Sequence, residues 1–315
     1  MYNQINADTL TSAGQFALSD IQLISYVSAE GGSEPKKVSV RSQVIEINIY
    51  EDLFGKGLTG NIVMVDGQNI ANHLPLTGFE RIEFKLNTPG ISKGFDFTSV
   101  TGHPMYIYKI SGRQELSPRT QGYVLHFASK ELITNEQNKL HRAYTGTIDQ
   151  MIMDIFRNDL KSNKTLILEE TAGVRKYIAT GKRPFEFIDE LAKSAEAGRY
   201  NNSGMFFYED STGYRLRSLE NMLAITDGAA RPAVARFEKK PRSVKGGSGI
   251  TNIIQEMQTV DGFTIENQFD TIKNLRNGVY ASRTIAHDLM NKTFTNFDYD
   301  YNMEFNKNFH TEHDG

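Results

Sequence analysis

The chain contains no cysteine among its 315 residues. Disulfide bonds, thiolate nucleophiles and cysteine-based metal sites are therefore excluded. Tryptophan is also absent, so aromatic packing falls to 19 phenylalanines and 14 tyrosines. No apolar run approaches the roughly 20 residues that a membrane-spanning helix requires. The first residues also lack the basic and apolar regions of a signal peptide. We therefore expect no disulfide framework, no signal peptide and no membrane-spanning segment.

A strong excess of charge of either sign is missing as well. The net charge is −3, and 23% of the residues are charged. A protein that grips nucleic acid through its phosphates usually carries a strongly basic domain, which this chain lacks. The length allows two or three domains, each with its own core.

Sequence signatures of catalysis are also lacking. The glycine-rich residues 54–60 and 181–183 do not have the spacing of a phosphate-binding loop. Histidines cluster only at 310–313, without a zinc-binding pattern. The acidic pairs at 209–210 and 298–300 are interpreted as solvated acids or turn caps rather than calcium ligands. No nucleophile elbow occurs, and none of the 38 acidic residues is singled out as a glycosidase pair. We expect no catalytic residue, no metal and no cofactor.

Residues 1–133 alternate between apolar and polar side chains, as half-buried β-strands do. In residues 44–50 the face formed by Ile45, Ile47 and Ile49 is expected to point inward. Residues 81–87 repeat the pattern, and turn signals rich in glycine and proline separate such segments. Short strands with one polar face predict a barrel or a sandwich. Further strands are predicted at 61–65, 105–110 and 123–127.

Near residue 145 the spacing of apolar residues along the sequence changes to the period of a helix. Thr147 begins a segment that resembles a capping box, and a helical stripe of apolar residues follows it. Pro184 begins a second predicted helix, where its missing N–H is tolerated. The runs 205–208 and 214–219 are predicted to form a hairpin through an Asp/Gly turn. Residues 134–230 are therefore predicted to form a small α+β domain.

The remaining chain begins with a basic connector. Residues 231–249 contain six basic residues against one acid and end in a Gly/Ser tract that is flexible or turn-forming. The connector is interpreted as a solvated linker, with contact to DNA or an acidic partner as the alternative. Residues 250–315 return to β character, with strands predicted at 250–257, 278–285 and 292–299.

The order of these motifs resembles the central baseplate hub proteins of T-even-like contractile-tailed bacteriophages. The resemblance rests on a strand and turn at 50–60, the helix at 184–191, the hairpin at 206–219 and the segment 278–294. It implies a mixed, β-rich fold with antiparallel β-barrel tube domains and an inserted α+β domain. Residues 1–133 would form the first tube domain. Residues 250–315 would begin the second tube domain, with fewer strands than a closed barrel needs.

The resemblance also implies a function. Such a protein is a homotrimer that joins the hexameric tail tube to the trimeric cell-puncturing spike, in the baseplate of a virion assembled in the host cytoplasm. Its partners are further copies of itself, the tail spike, the tail tube and the tape-measure protein. DNA passes through its channel during ejection without specific binding. On the predicted polar faces we select Glu83, Lys85 and Asn87 as channel-facing residues.

Two other functions stay open on the sequence. One is a tail-associated hydrolase that cleaves peptidoglycan or another glycan. The other is a soluble ligand-binding β module without a role in a phage. Clearing of cell-wall suspensions would support the first alternative, and a strictly monomeric protein would favour the second over a hub.

Overall fold

A computed structural model of the chain divides into two compact units, unit 1 being Met1–Met222 and unit 2 being Leu223–Gly315. The predicted strand at 250–257 and the histidine cluster at 310–313 lie outside the described residues, and the connector is described only at 237–239. The structure describes residues 15–25, 35–74, 76–88, 94–199, 203–223, 237–239, 259–260, 262–266 and 269–305.

Unit 1 is built mainly from short strands. They are β1 (Ala17–Leu18), β2 (Gln22–Ile24), β3 (Lys37–Ser39), β4 (Val44–Tyr50), β5 (Thr59–Asp66), β6 (Arg81–Glu83), β7 (Lys85–Asn87), β8 (Phe95–Asp96), β9 (Met105–Ser117), β10 (Thr120–Ser129), β11 (Ala143–Gly146), β12 (Leu166–Leu168), β13 (Arg175–Ile178), β14 (Met205–Asp210) and β15 (Gly213–Ser218).

Helices of unit 1 lie mostly in its second half. A 3-10 turn precedes β4 at Arg41–Gln43, and a π-helical turn at Ile155–Asp159 extends the third α-helix. The α-helices are α1 (Ile70–His73), α2 (Lys130–Gln137), α3 (Ile148–Asp154), α4 (Pro184–Ser194) and α5 (Leu219–Leu223).

A seven-stranded antiparallel sheet forms the first part of unit 1. Its strand order is β3-β2-β6-β9-β10-β5-β4, and β1, β7 and β8 form a smaller sheet. The core contains Leu23, Ile62, Ile82 and Phe84, all fully buried. The predicted strands at 44–50, 61–65, 105–110 and 123–127 are present. Among the described strands the large sheet stays open, with β3 and β4 at its edges, and no closed barrel is formed.

The inward face of β4 differs from the prediction. Ile47 and Ile49 pack against the core, but Ile45 is 67% exposed. The pairing of β4 with β5 shifts register between Val44 and Glu46, which marks a β-bulge. A bulge places two residues opposite one, so the alternation of faces is reversed at that point. Val44 therefore takes the inward position that the pattern assigned to Ile45.

The second part of unit 1 packs helices against a small sheet. The sheet order is β12-β15-β14, with β12 parallel to β15 and β14 antiparallel to it. The predicted capping box at Thr147 begins α3, and Pro184 is the first residue of α4. Between the elements lies an aromatic core, in which the ring of Tyr214 is 4.8 Å from Phe156 and 5.5 Å from Phe207. The predicted helices and hairpin are confirmed.

The described part of unit 2 contains two strand pairs and two short helices, and it buries no side chain. Its largest feature is an antiparallel hairpin of two eight-residue strands. This hairpin overlaps the strands predicted at 278–285 and 292–299, and its first strand begins three residues later than predicted. The elements are β16 (Glu238–Lys239), β17 (Thr259–Val260), α6 (Thr271–Arg276), β18 (Ala281–Asp288), β19 (Thr293–Asp300) and α7 (Tyr301–Glu304).

A substitution at the turn between β14 and β15 would test the packing of the second part of unit 1. Gly213 has a φ of +140°, and a Cβ there would lie 2.4 Å from the carbonyl oxygen of Thr165. We expect Gly213→Ala to lower the free energy of unfolding by about 2–4 kcal/mol, through backbone strain and a clash with the loop that precedes β12. Chemical denaturation measures the loss.

Gly67 provides the matched control for that substitution. No atom lies within 4 Å of the position that its Cβ would take. Gly67→Ala is expected to change the free energy of unfolding by no more than about 0.5 kcal/mol. Equal losses in the two variants would contradict the close approach of Gly213 to Thr165.

Candidate functional site

The residues selected as channel-facing lie in two different sheets. Glu83 ends β6 in the large sheet, while Lys85 and Asn87 lie in β7 of the small sheet. The Glu83 side chain is only 12% exposed and accepts a hydrogen bond from the Ser99 hydroxyl. Lys85 is paired with Asp96 at 2.6 Å. Their role in lining a channel stays a prediction, with Lys85 and Asn87 the more exposed of the three.

Three of the segments that carry the sequence resemblance lie in contact. The loop between β4 and β5 rests on the hairpin β14–β15 and on α4. The rings of Phe54 and Phe206 meet edge to face at 5.7 Å. Lys56 forms an ion pair with Asp189 of α4 at 2.8 Å. The glycine-rich loop, which lacks the spacing of a phosphate site, therefore acts as a contact between the two parts of unit 1.

Behind this loop lies a buried cluster of charged side chains. The ammonium of Lys164 is 2.8 Å from Oε2 of Glu131 and 2.5 Å from Oε1 of Glu209. All three side chains are 5% exposed or less. Glu131 lies in α2, Lys164 in the loop before β12, and Glu209 in β14. The ammonium of Lys164 thus joins α2, the helix that follows the large sheet, to the sheet formed by β12, β15 and β14.

Hydrogen bonds from neighbouring groups also reach the two carboxylates of the cluster. Oε2 of Glu209 accepts from the backbone N–H of Leu58 at 2.7 Å and from the Ser129 hydroxyl at 2.5 Å. The hydroxyl of Ser162 donates to Oε1 of Glu131 at 2.5 Å. Buried charges persist when they are paired and hydrogen-bonded in this way.

The same cluster shifts the pKa values of two of its members. Burial by itself would lower the pKa of Lys164, but the charges of Glu209 and Glu131 outweigh it and raise that pKa above its ordinary value. Burial would raise the pKa of Glu131, but the nearby ammonium of Lys164 and hydrogen bonds to the carboxylate lower it instead. The charged forms of Lys164 and Glu131 are therefore favoured.

The cluster leaves no room for a substrate. The space bounded by Leu58, His103, Lys164 and Glu209 is about 10 Å³. A single water molecule needs about that volume. Together with the close pairing of Lys164 with both carboxylates, this volume makes the cluster a structural junction between the two parts of unit 1.

Sequence reasoning missed this junction. Glu131, Lys164 and Glu209 are far apart in the chain, and no spacing rule connects them. The acidic pair at 209–210 was expected to be solvated or to cap a turn. Asp210 does accept from the Thr212 N–H at 2.8 Å within the turn. Glu209 is buried instead, because it points to the opposite face of β14, toward Lys164.

Within the described ranges, no group of three or more histidine or acidic side chains is placed to hold a metal ion. The same part of the chain contains no helix that is both long and apolar enough to cross a bilayer.

The two edge strands of the large sheet, β3 and β4, differ in length and in the residues that they expose. The edge strand β3 has three residues and begins with Lys37. Short strands and lysines discourage further pairing at an edge. The opposite edge strand β4 has seven residues, and no described strand pairs with its outer side. It exposes Ile45 and half of Tyr50. Of these two edges, the β4 edge is therefore the one better suited to accept another strand.

The hairpin β18–β19 of unit 2 is exposed on both faces. Ile285 and Phe294 are 57% and 58% exposed on one face, and Phe297 is 60% exposed on the other. Arg283 and Asp298 face each other across the strands with a 2.5 Å ion pair. No other described strand pairs with either outer edge. The hairpin offers both apolar side chains and unpaired backbone groups to a partner.

The buried cluster yields a stability prediction. Lys164→Met leaves two carboxylates buried without their cation, so we expect it to lower the free energy of unfolding by about 3–5 kcal/mol. Adding Glu131→Gln and Glu209→Gln to Lys164→Met removes the orphan charges and should recover part of that loss. Chemical denaturation of the single and triple variants at neutral pH measures both quantities.

Lys56→Met is the matched control, because Lys56 forms a partly exposed ion pair with Asp189. Such pairs contribute about 1 kcal/mol or less. A Lys164→Met variant no less stable than Lys56→Met would refute the junction.

The cluster also predicts how stability depends on pH. The pKa of Glu131 in the folded chain lies below its ordinary value of 4.5. The contribution of Glu131 to the free energy of unfolding is therefore complete above pH 4.5. It is lost as pH falls through the lowered pKa. We expect the free energy of unfolding to fall below pH 4.5, and to fall less steeply in Glu131→Gln. The control is Glu136→Gln, an exposed carboxyl of the same helix, which should leave the wild-type slope unchanged.

Comparison with known proteins finds no matching family model and no matching curated protein. Among solved structures, the chain is similar to the prophage MuSo2 43 kDa tail protein from Shewanella oneidensis (TM-score 0.43, 14% identity, 73% of this chain and 59% of that chain). It is similar to a tail protein from Neisseria meningitidis MC58 (TM-score 0.42, 10% identity, 73% and 56%). It is also similar to the prophage tail protein gp18 from Listeria monocytogenes EGD-e (TM-score 0.42, 11% identity, 90% and 67%). The chain thus spans less than two thirds of the first two proteins. All three of these solved structures are described as tail proteins.

Proposed function

We propose that this protein is a structural component of a phage tail baseplate. In this proposal it is a homotrimeric hub that joins the hexameric tail tube to the trimeric spike and lines the channel for DNA ejection. The order of the sequence motifs, which resembles that of the hub proteins, is the reason for proposing this assembly. The observation that carries the proposal is the exposure of the hairpin β18–β19 on both faces within the described part of unit 2.

The need for a partner follows from the energetics of small sheets. An isolated two-stranded hairpin is marginally stable at best in water, and it requires further strands or a packed helix. In the described part of unit 2, all strand residues of β18 are exposed, and so are those of β19 except Tyr299. Ile285, Phe294 and Phe297 are 57%, 58% and 60% exposed within that part of the chain. In this proposal, association of copies covers them.

The edge of the large sheet supports the same assembly. β4 is long, apolar and open on its outer side within the described strands, whereas the opposite edge is short and carries Lys37. Edge strands of this kind pair with another chain unless they are protected. A ring of copies in which strands add to open edges removes those edges. Closure of the tube domains into barrels, with the α+β part as an insertion, belongs to this assembled state.

The charges of the chain suit a channel that DNA passes through. Many fixed lysines would bind phosphates and slow the passage of DNA. The net charge is −3, and Lys85 is neutralised by Asp96. We place Glu83, Lys85 and Asn87 toward the lumen on this basis. The spike, the tail tube and the tape-measure protein are the proposed partners, and the location is the virion, after assembly in the host cytoplasm.

The proposal predicts the mass of the particle in solution. Light scattering during size-exclusion chromatography should find three copies of the 35.5 kDa chain per particle, either alone or in a complex with the spike protein. Phe294→Asp and Phe297→Asp place a charge on either face of the hairpin, and at least one is expected to shift the protein to monomers. Val100→Asp is the control, because Val100 is 90% exposed in a turn of unit 1; it should leave the trimer intact.

A chain that stays monomeric at all concentrations and ignores the spike would overturn the hub proposal. Clearing of a peptidoglycan suspension would instead support the hydrolase alternative.

A further inference from the structure

The π-helical turn at Ile155–Asp159 follows α3 and leads into the loop that carries Lys164. Its wide hydrogen bond runs from the N–H of Leu160 to the carbonyl oxygen of Ile155 at 3.0 Å. Single π turns within α-helices are rare, and they occur frequently at functional sites. The next residue, Lys161, has a φ of +52°, which is uncommon for a residue other than glycine. The chain therefore leaves the helix along an unusual path just before it reaches the charged cluster.

The side chain of Arg157 in this turn binds the backbone of that loop. Its Nη1 donates to the carbonyl oxygen of Ser162 at 2.7 Å and to that of Lys164 at 3.0 Å. The guanidinium also lies over the ring of Phe156, 5.2 Å from the ring centre. A hydrogen bond from a charged donor is stronger than one between neutral groups. Arg157 therefore fixes the two residues, Ser162 and Lys164, whose side chains contact Glu131.

The same turn also binds the helix that carries Glu131. The side-chain amide of Asn138 donates to the backbone carbonyl oxygen of Asp159 at 2.7 Å. Asn138 is the C-cap residue of α2, and Glu131 lies about two helical turns before it. The π-helical turn thus contacts the loop of the cation and the helix of one of its carboxylates, at points outside the cluster.

We propose that the π-helical turn positions the charged cluster, with Arg157 fixing the loop of Lys164 and the backbone of Asp159 fixing the end of α2. A buried lysine side chain loses much conformational freedom, and a buried ion pair is favourable only in close geometry. Fixing both backbones in advance reduces that loss, because fewer arrangements of the ammonium and the carboxylate compete. Arg157 is a positioning residue, and its role does not depend on whether copies of the chain assemble.

A double-mutant cycle between Arg157→Met and Lys164→Met tests this role. The stability lost through Lys164→Met should be less than about half as large in the Arg157→Met background as in the wild-type chain. Chemical denaturation of the four proteins at neutral pH measures both losses. Asn158→Ala is the matched control background, because Asn158 lies in the same turn but bonds Asp154 of α3; there the loss should be unchanged. Additive losses for Arg157 and Lys164 would overturn the proposal.

The dependence of stability on pH gives a readout that a general loss of packing would not change. Burial would raise the pKa of Glu131, and the charge of Lys164 lowers it below 4.5. Without Arg157 the ammonium is held less firmly, so this pKa returns toward 4.5 and stability falls less steeply below that pH. Arg175→Met is the control, since Arg175 also donates to a backbone carbonyl, that of Ser194 at 2.6 Å. It should keep the wild-type slope.

Arg157→Lys provides the test if Arg157→Met does not fold. Lysine keeps the positive charge but lacks the rigid planar donor group of arginine. We expect its slope below pH 4.5 to lie between those of the wild type and of Glu131→Gln. A wild-type slope in each Arg157 variant that folds would contradict the positioning role, even where the overall stability is lower.

Discussion

The buried ammonium of Lys164 is the interaction on which the arrangement of unit 1 depends. It binds carboxylates from α2 and from β14, and Glu209 in turn holds the backbone of Leu58 and the hydroxyl of Ser129. Removing charges from water is costly, and the cost is offset only by close pairing and a full set of hydrogen bonds. The cluster therefore favours one arrangement of the large sheet relative to the α+β part. The glycine-rich loop between β4 and β5 is held in place by the same cluster.

The two units differ in how their apolar surface is covered. Unit 1 buries two clusters of aliphatic and aromatic side chains, including Phe84, Phe156 and Tyr214. The described part of unit 2 buries none and exposes Leu289 and Met290 in the turn between β18 and β19. Hydrophobic burial is the main favourable term in folding, so an element without a core needs a surface from elsewhere. Under the proposed function, the assembly supplies that surface.

The candidate functional surfaces are accordingly strand edges and an exposed hairpin rather than a cleft. The charged cluster resembles a catalytic site in composition, with an acid pair around a lysine, yet each oxygen of Glu209 is already bound and the adjacent volume is about 10 Å³. Perturbed pKa values also occur in structural ion networks, and geometry decides between the two cases. Here the geometry assigns the acids to holding the fold together.

Local sequence determined most of the secondary structure. Period-two alternation located β5, β9 and β10, and the capping box and the proline located α3 and α4, because these signals depend only on neighbours along the chain. The order of the motifs also indicated the class of protein. Tertiary structure alone decided that Ile45 turns outward at a bulge and that Glu131, Lys164 and Glu209 meet. These features depend on residues brought together from distant positions, and no local period encodes which distant side chains become neighbours.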